Sequence, residues 1–167
     1  MNFEQAINIV LAHEGGFSDN SADPGNWTGG KPGVGRLLGT RYGISAAAYP
    51  DVDIPRLTID QAAALYRRDY WDRLRLDEIP AALRLHVFDA AVNSGTAAAA
   101  RWLQLAVGAN PDGIIGPATL AAAQAADPAR AVCRMVGARL LLLAGNANFA
   151  TFGRGWVRRV AANLQGS

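Results

Sequence analysis

Two carboxylates near the start of the chain have the types and spacing for acid–base chemistry. Glu14 and Asp23 are nine residues apart, and Thr28 lies five beyond. Glycosidases set two carboxyl groups on either side of the bond to be cut, one as acid and the other as base or nucleophile. Glu14 is the more informative of the pair. Phe3, Ile7, Val10 and Leu11 share one helical stripe, roughly 100° wide at about 100° per residue. Glu14 projects near the middle of that stripe, and Gly15-Gly16 follows at once. A carboxyl beside apolar side chains loses hydration, which disfavours its charged form. Held protonated, it can pass its proton to a leaving group. A frayed last turn, with Gly15 as C-cap and the carboxyl in solvent, accounts for Glu14 equally well. For Asp23 the plainer account is the stronger one, because Asp23-Pro24-Gly25 is common turn chemistry that an aspartate caps.

Sugar rings present an apolar C–H face on which aromatic side chains stack. Trp27, Tyr42, Tyr49, Tyr70 and Trp71 are candidates, led by Trp27 and Tyr42 in the loop after Glu14. His86, Asp89 and Asn93 form a polar line at three- and four-residue spacing among Leu83, Val87, Ala90 and Val92. On one reading they line a cleft in which Asn93 binds an acetamido or hydroxyl group. On the other, His86 is exposed, Asp89 pairs with an arginine and Asn93 helps end a helix before Gly95. Trp102 and Trp156 read as core residues, and Cys133 as a buried thiol.

The elements that must position these groups are mostly helical. Residues 3–14 read as a helix with Asn2 as N-cap. Residues 15–45, dense in glycine and holding Pro24 and Pro32, read as turns and irregular backbone with short strands. Loops this long are usually functional. Thr58 and Gln61 form a capping box for a helix running to about Trp71. Further helices are expected from Pro80 to Ser94, over 96–107, from Pro117 to about Ala126 and from Asp127 to Gly145. A last helix carries Phe152, Trp156, Val160 and Leu164 on one face.

Length and composition set bounds. A chain of 167 residues suggests one domain, or one and a small appendage, and at 50% apolar it can form a core. No apolar run approaches the ~18 residues needed to cross a bilayer. One cysteine excludes an internal disulfide, and two histidines are too few for a zinc site of histidines alone. The net charge of +2 lacks the basic clustering of a nucleic-acid binder.

Several motifs resemble glycoside hydrolase family 108, N-acetylmuramidases of phages, prophages and bacterial secretion loci. They are His13-Glu14-Gly15-Gly16-Phe17, Asp23-Pro24-Gly25 with Thr28, Tyr42-Gly43-Ile44-Ser45, Tyr70-Trp71-Asp72 and Phe88 to Gly95. Asp112 to Leu120 and the ending Phe152 to Arg159 resemble the predicted peptidoglycan-binding region that accompanies the family. The resemblance implies Glu14 as catalytic acid, and the spacing of Glu14, Asp23 and Thr28 is similar to the Glu/Asp/Thr arrangement of phage-type lysozymes, which implies that Asp23 and Thr28 hold the attacking water. The Thr falls one residue short of the phage-lysozyme spacing. It implies a lysozyme-like, mainly α fold with an irregular lobe after the first helix, a catalytic region over 1–95 and a wall-binding region over 96–167 packed with it as one globular unit. The implied substrate is the β-1,4 bond between N-acetylmuramic acid and N-acetylglucosamine, cut without metal or organic cofactor. Trp27, Tyr42, Tyr49 and Asn93 are the expected substrate contacts.

Competing readings are a lytic transglycosylase, and a wall-binding protein in which Glu14 is incidental. The N-terminus lacks signal-peptide features, so synthesis in the cytoplasm and release by a holin or secretion system are expected. A monomer without membrane insertion or nucleic-acid partner is the expected state.

Overall fold

The computed structural model describes residues 1–166, with seven α-helices and one two-stranded sheet. Local chemistry accounts for the helix starts. Asn2 and Gln5 exchange backbone-to-side-chain bonds of 3.0 Å each at the head of α1 (Phe3–His13). Thr58 and Gln61 do the same at 3.2 and 2.9 Å ahead of α2 (Ile59–Tyr66). Each pair satisfies N–H groups that a helix start would otherwise leave unbonded. The expected helix to Trp71 does not run through as an α-helix: after Tyr66 the chain continues in wider π turns over Arg67–Asp72. An α-helix sets residues five apart roughly 140° out of phase. The wider turn reduces that offset for Tyr66 and Trp71, both fully buried.

Met1–Ala6 and the chain from Arg67 onward form one compact unit. Its centre is α3 (Ala81–Ser94), in which every residue from Leu85 to Ala91 is buried. A helix buried on all sides cannot show the one-sided apolar pattern of a surface helix. Around α3 pack α4 (Thr96–Val107) and α6 (Pro128–Ala144); α5 (Pro117–Ala125) packs on α4, and α7 (Phe149–Gly166) packs on α6. Asp127 caps α6, its Oδ1 accepting the Arg130 N–H at 2.7 Å. Phe3, Trp71 and Phe88 meet edge to face with centroids 5.4 to 6.0 Å apart, a geometry that adds to simple area burial.

The turn from Asn110 to Gly113 is held by one buried side chain. Gln104 Nε2 donates to Asp112 Oδ1 at 2.7 Å, to the Ile114 carbonyl at 2.9 Å and to Thr119 Oγ1 at 3.1 Å, while its Oε1 accepts the Gly113 N–H at 2.9 Å. Hydrogen bonds from Gln104 and the Ile114 N–H hold the Asp112 carboxyl below its usual pKa. Two expectations for this unit are corrected. Cys133 is exposed, because it lies on the outer face of α6 opposite the buried Ala131 and Met135. Trp156 is half-buried rather than core, with Phe149 and Phe152 beside it at 6.4 and 6.1 Å.

Ile7–Tyr66 form the second unit: the end of α1, the glycine-rich segment, a hairpin and α2. The hairpin pairs β1 (Thr40–Arg41) with β2 (Ile44–Ser45) in antiparallel register, Thr40 opposite Ser45 and Arg41 opposite Ile44. Its two-residue turn, Tyr42-Gly43, has φ of 52° and 75°. Positive φ at both positions marks a type I′ turn, whose twist matches that of the strands. Tyr42 bears the conformational cost; Gly43 adopts its angle freely.

Candidate active site

Helix α1 ends at His13, and Glu14 stands immediately after it, half-buried, its N–H bonded to the Leu11 carbonyl at 3.1 Å. The apolar stripe is as expected: Phe3, Ile7 and Val10 are buried and Leu11 is partly so. What faces the carboxylate is the hairpin turn. A Cβ added at Gly43 would lie 2.8 Å from Glu14 Oε2 and 3.1 Å from its Cδ, and would also collide with the Tyr66 hydroxyl. The Tyr66 hydroxyl donates to the Tyr42 carbonyl at 2.9 Å, which ties α2 to that turn. On the other flank, Gly15 and Gly16 open onto free space: a Cβ on either would meet nothing within 4 Å. The acid thus has the turn at Gly43 against it, and the backbone that follows it is open.

The segment after the glycines is fastened to the same hairpin. Ser18 and Thr40 exchange backbone bonds of 2.9 and 2.8 Å. Phe17 lies over Gly39, where a Cβ would come within 2.8 Å of the ring. Asn26 is the fully buried polar anchor of the lobe. Its Nδ2 donates to the Asn20 carbonyl at 3.0 Å, its Oδ1 accepts from Thr40 Oγ1 at 2.7 Å, and its carbonyl takes the N–H groups of Leu38 and Gly39.

The remaining sequence candidates have structural engagements. Asp23 caps the short 3₁₀ turn Pro24–Asn26, its Oδ1 accepting the Gly25 N–H at 2.8 Å. Thr28 Oγ1 accepts the Arg36 N–H at 2.9 Å, closing the loop between them. Trp27 is half-buried, with Nε1 donating to the Ser21 carbonyl at 2.9 Å. Tyr42 is half-buried with the Arg41 guanidinium 5.3 Å over its ring, and Tyr49 is half-buried as well. A cleft of about 430 Å³ elsewhere in this unit is lined by Val52, Arg56, Leu57, Gln61 and Leu65, and by none of the residues singled out for chemistry. Among the described residues no cluster of His, Cys, Asp and Glu is suited to a metal ion.

The other unit holds the polar line on α3. His86 is buried rather than exposed, and burial pushes its pKa below the usual value. Asp89, fully buried, binds two arginines: Arg139 at 2.6 Å and Arg159 at 2.7 Å. Asn93 is exposed in the last turn, and its Nδ2 donates to the Asp89 carbonyl at 2.8 Å. Sequence reading did not single out Tyr66, Asn26 or Thr40. The one local signal was Tyr42-Gly43, a dipeptide suited to a tight hairpin.

Residues 7–95, more than half of the chain, match the glycosyl hydrolase 108 family, and the chain belongs to it; the protein is a glycoside hydrolase. Residues 98–161 match a region described as a predicted peptidoglycan domain, which makes the protein a peptidoglycan hydrolase. Among solved structures, the chain is similar to that of Brucella abortus SagA, at 34% identity and a TM-score of 0.80, over 98% of this chain and 92% of that one. No curated protein matches the chain.

Proposed function

We propose that the protein is an N-acetylmuramidase that hydrolyses the β-1,4 bond between N-acetylmuramic acid and N-acetylglucosamine, with Glu14 as general acid. The observation carrying this reading is the setting of Glu14. Its carboxyl stands at the end of an apolar helix stripe, backed by Gly43 and the Tyr66 hydroxyl, beside two glycines that leave room for a bulky polymer. A carboxylic acid so placed protonates the glycosidic oxygen as the sugar on the other side of the bond becomes oxocarbenium-like. Asp23 supplies negative charge to that cation or orients the water, and Thr28 assists in holding the water. Trp27, Tyr42 and Tyr49 offer ring faces, and Asn93 an amide, to the glycan. Release to the wall through a holin or secretion system belongs to the same proposal.

Glu14→Gln keeps the shape of the side chain and removes the proton. Turbidity clearing of purified peptidoglycan should cease, with the circular dichroism spectrum and wall binding unchanged. Retained lysis by this variant overturns the assignment. The products of the unaltered protein should carry reducing ends; 1,6-anhydro ends would identify a transglycosylase.

A further inference from the structure

Phe17 is the one exposed aromatic ring among the described residues of the unit Ile7–Tyr66, at 47% exposure; Trp27, Tyr42 and Tyr49 are half-buried and Tyr66 is buried. A lone exposed apolar side chain is ordinary on a protein surface. Two features set Phe17 apart by fixing its position. The residue after it exchanges backbone hydrogen bonds with Thr40: the Ser18 N–H donates to the Thr40 carbonyl at 2.9 Å, and the Thr40 N–H to the Ser18 carbonyl at 2.8 Å. The ring is seated by its edge on Gly39, where an added Cβ would lie 2.8 Å from Cε2 and 3.1 Å from Cζ. Gly39 has a φ of 83°, which glycine adopts freely. Among the described residues no other aromatic ring and no cation lies against the Phe17 ring.

The same hairpin serves both Glu14 and Phe17. Its turn places Gly43 against Glu14, and Gly39, just before β1, lies against the Phe17 ring. Glu14 and Phe17 are three residues apart, so their Cα atoms are separated by at most roughly 11 Å. Between them stand only Gly15 and Gly16, where an added Cβ would meet nothing within 4 Å. A polymer lying over that bare backbone passes from the carboxyl to the ring within a short run of its units.

We propose that Phe17 is a stacking platform for one pyranose ring of the glycan strand. The face of an aromatic ring is negative. A β-linked N-acetyl sugar with its substituents equatorial turns axial C–H groups, apolar and slightly positive, toward such a face. A platform already held by its backbone and its edge loses little freedom on binding. About half of the ~150–250 Å² that a phenylalanine can bury remains open to a ligand. Covering roughly 60 Å² of it, at about 25 cal/mol per Å², corresponds to about tenfold in affinity. The inference rests on the proposed reading of the glycan strand as substrate, and it does not require Glu14 to be the acid.

The test is calorimetric titration of the full chain carrying Glu14→Gln with soluble, peptide-free glycan strands. In that background Phe17→Ala should weaken binding about tenfold. Phe17→Leu, apolar but without a flat face, should weaken it nearly as much, and Phe17→Tyr by less than about twofold. Tm should stay within a few degrees throughout, because the side chain is half exposed. Ile59→Ala removes a comparably exposed apolar side chain from α2 of the same unit and should leave binding unchanged. Undiminished binding by Phe17→Ala, binding by Phe17→Leu equal to that of the phenylalanine protein, a loss that tyrosine does not restore, or the same loss in Ile59→Ala overturns the proposal. With Glu14 restored, Phe17→Ala should raise KM for the strands about tenfold and change kcat by less than about threefold, as expected of a contact made equally in ground and transition states; an unchanged KM overturns the proposal as well. Hydrolysis by the Glu14→Gln protein would remove Glu14 as the acid and leave this KM comparison to decide the role of Phe17, so the two readings fail separately.

Discussion

Replacing Gly43 with alanine tests whether the hairpin turn positions the acid. The new Cβ would sit 2.8 Å from Glu14 Oε2 and 3.1 Å from Cδ, so the carboxylate must retreat, by roughly half an ångström or more to reach ordinary contact. The backbone adds strain, because φ is 75° there, and an alanine in that region costs about 1 kcal/mol or more. The same Cβ collides with the Tyr66 hydroxyl and disrupts its bond to the Tyr42 carbonyl, worth about 1 kcal/mol. The sum is ~2–3 kcal/mol, which for a chain of this size lowers Tm by about 4–12 °C. A displacement approaching 1 Å at a reacting group costs ~100-fold in rate. Turbidity clearing measured well below the new Tm should therefore fall about 10- to 100-fold. Tyr66→Phe is the control, since it removes the hydroxyl bond without pushing on Glu14. It should lower Tm by a few degrees and reduce lysis far less. The double variant should be less than additive in stability, because one of the two collisions is gone. A Gly43→Ala protein that lyses peptidoglycan at the original rate while folded would falsify the claim that this turn backs the acid.

Three further outcomes follow from named contacts. Asp23→Asn keeps an oxygen for the Gly25 N–H, so stability should change by less than about 0.5 kcal/mol; a large loss of lysis assigns a catalytic part to the charge, and full activity confines Asp23 to its turn. Gly16→Ala meets open space in the free protein, so Tm should hold while lysis falls if the glycan passes over this backbone; unchanged lysis shows that it does not. Burial lowers the His86 pKa in the folded protein below its usual value, so the unfolded chain takes up a proton first as pH falls. Stability should be complete above the usual histidine pKa and decline beneath it, at up to about 1.4 kcal/mol per pH unit, levelling at the folded pKa. Denaturant titrations from pH 7.5 to 5 should show the decline, and His86→Gln should remove it.

Much of the local structure was legible from residue types alone. The caps at Asn2, Thr58 and Asp127 and the start of α5 at Pro117 depend on groups within a few residues of one another. The stripe that ends in Glu14 is also a local pattern, since helical periodicity needs no partner to be visible. Long-range partners were not legible. Which of the chain's arginines would bind Asp89 depends on packing 50 and 70 residues away. Its helix carries no one-sided pattern from which burial could be inferred, so His86 is buried where exposure was a fair expectation. Cys133 erred the other way, because an apolar helix still has an outer face.

The sequence by itself determined the mainly helical character, the helix starts and the placement of one glutamate at the end of an apolar helix stripe, because each depends on neighbours along the chain. Tertiary structure alone decided what stands against that glutamate. Gly43 reaches Glu14 only because the hairpin folds back toward the end of α1, and the Tyr66 hydroxyl of α2 fastens its turn. Contacts that span tens of residues arise from chain reversal and packing, and residue spacing carries no record of them.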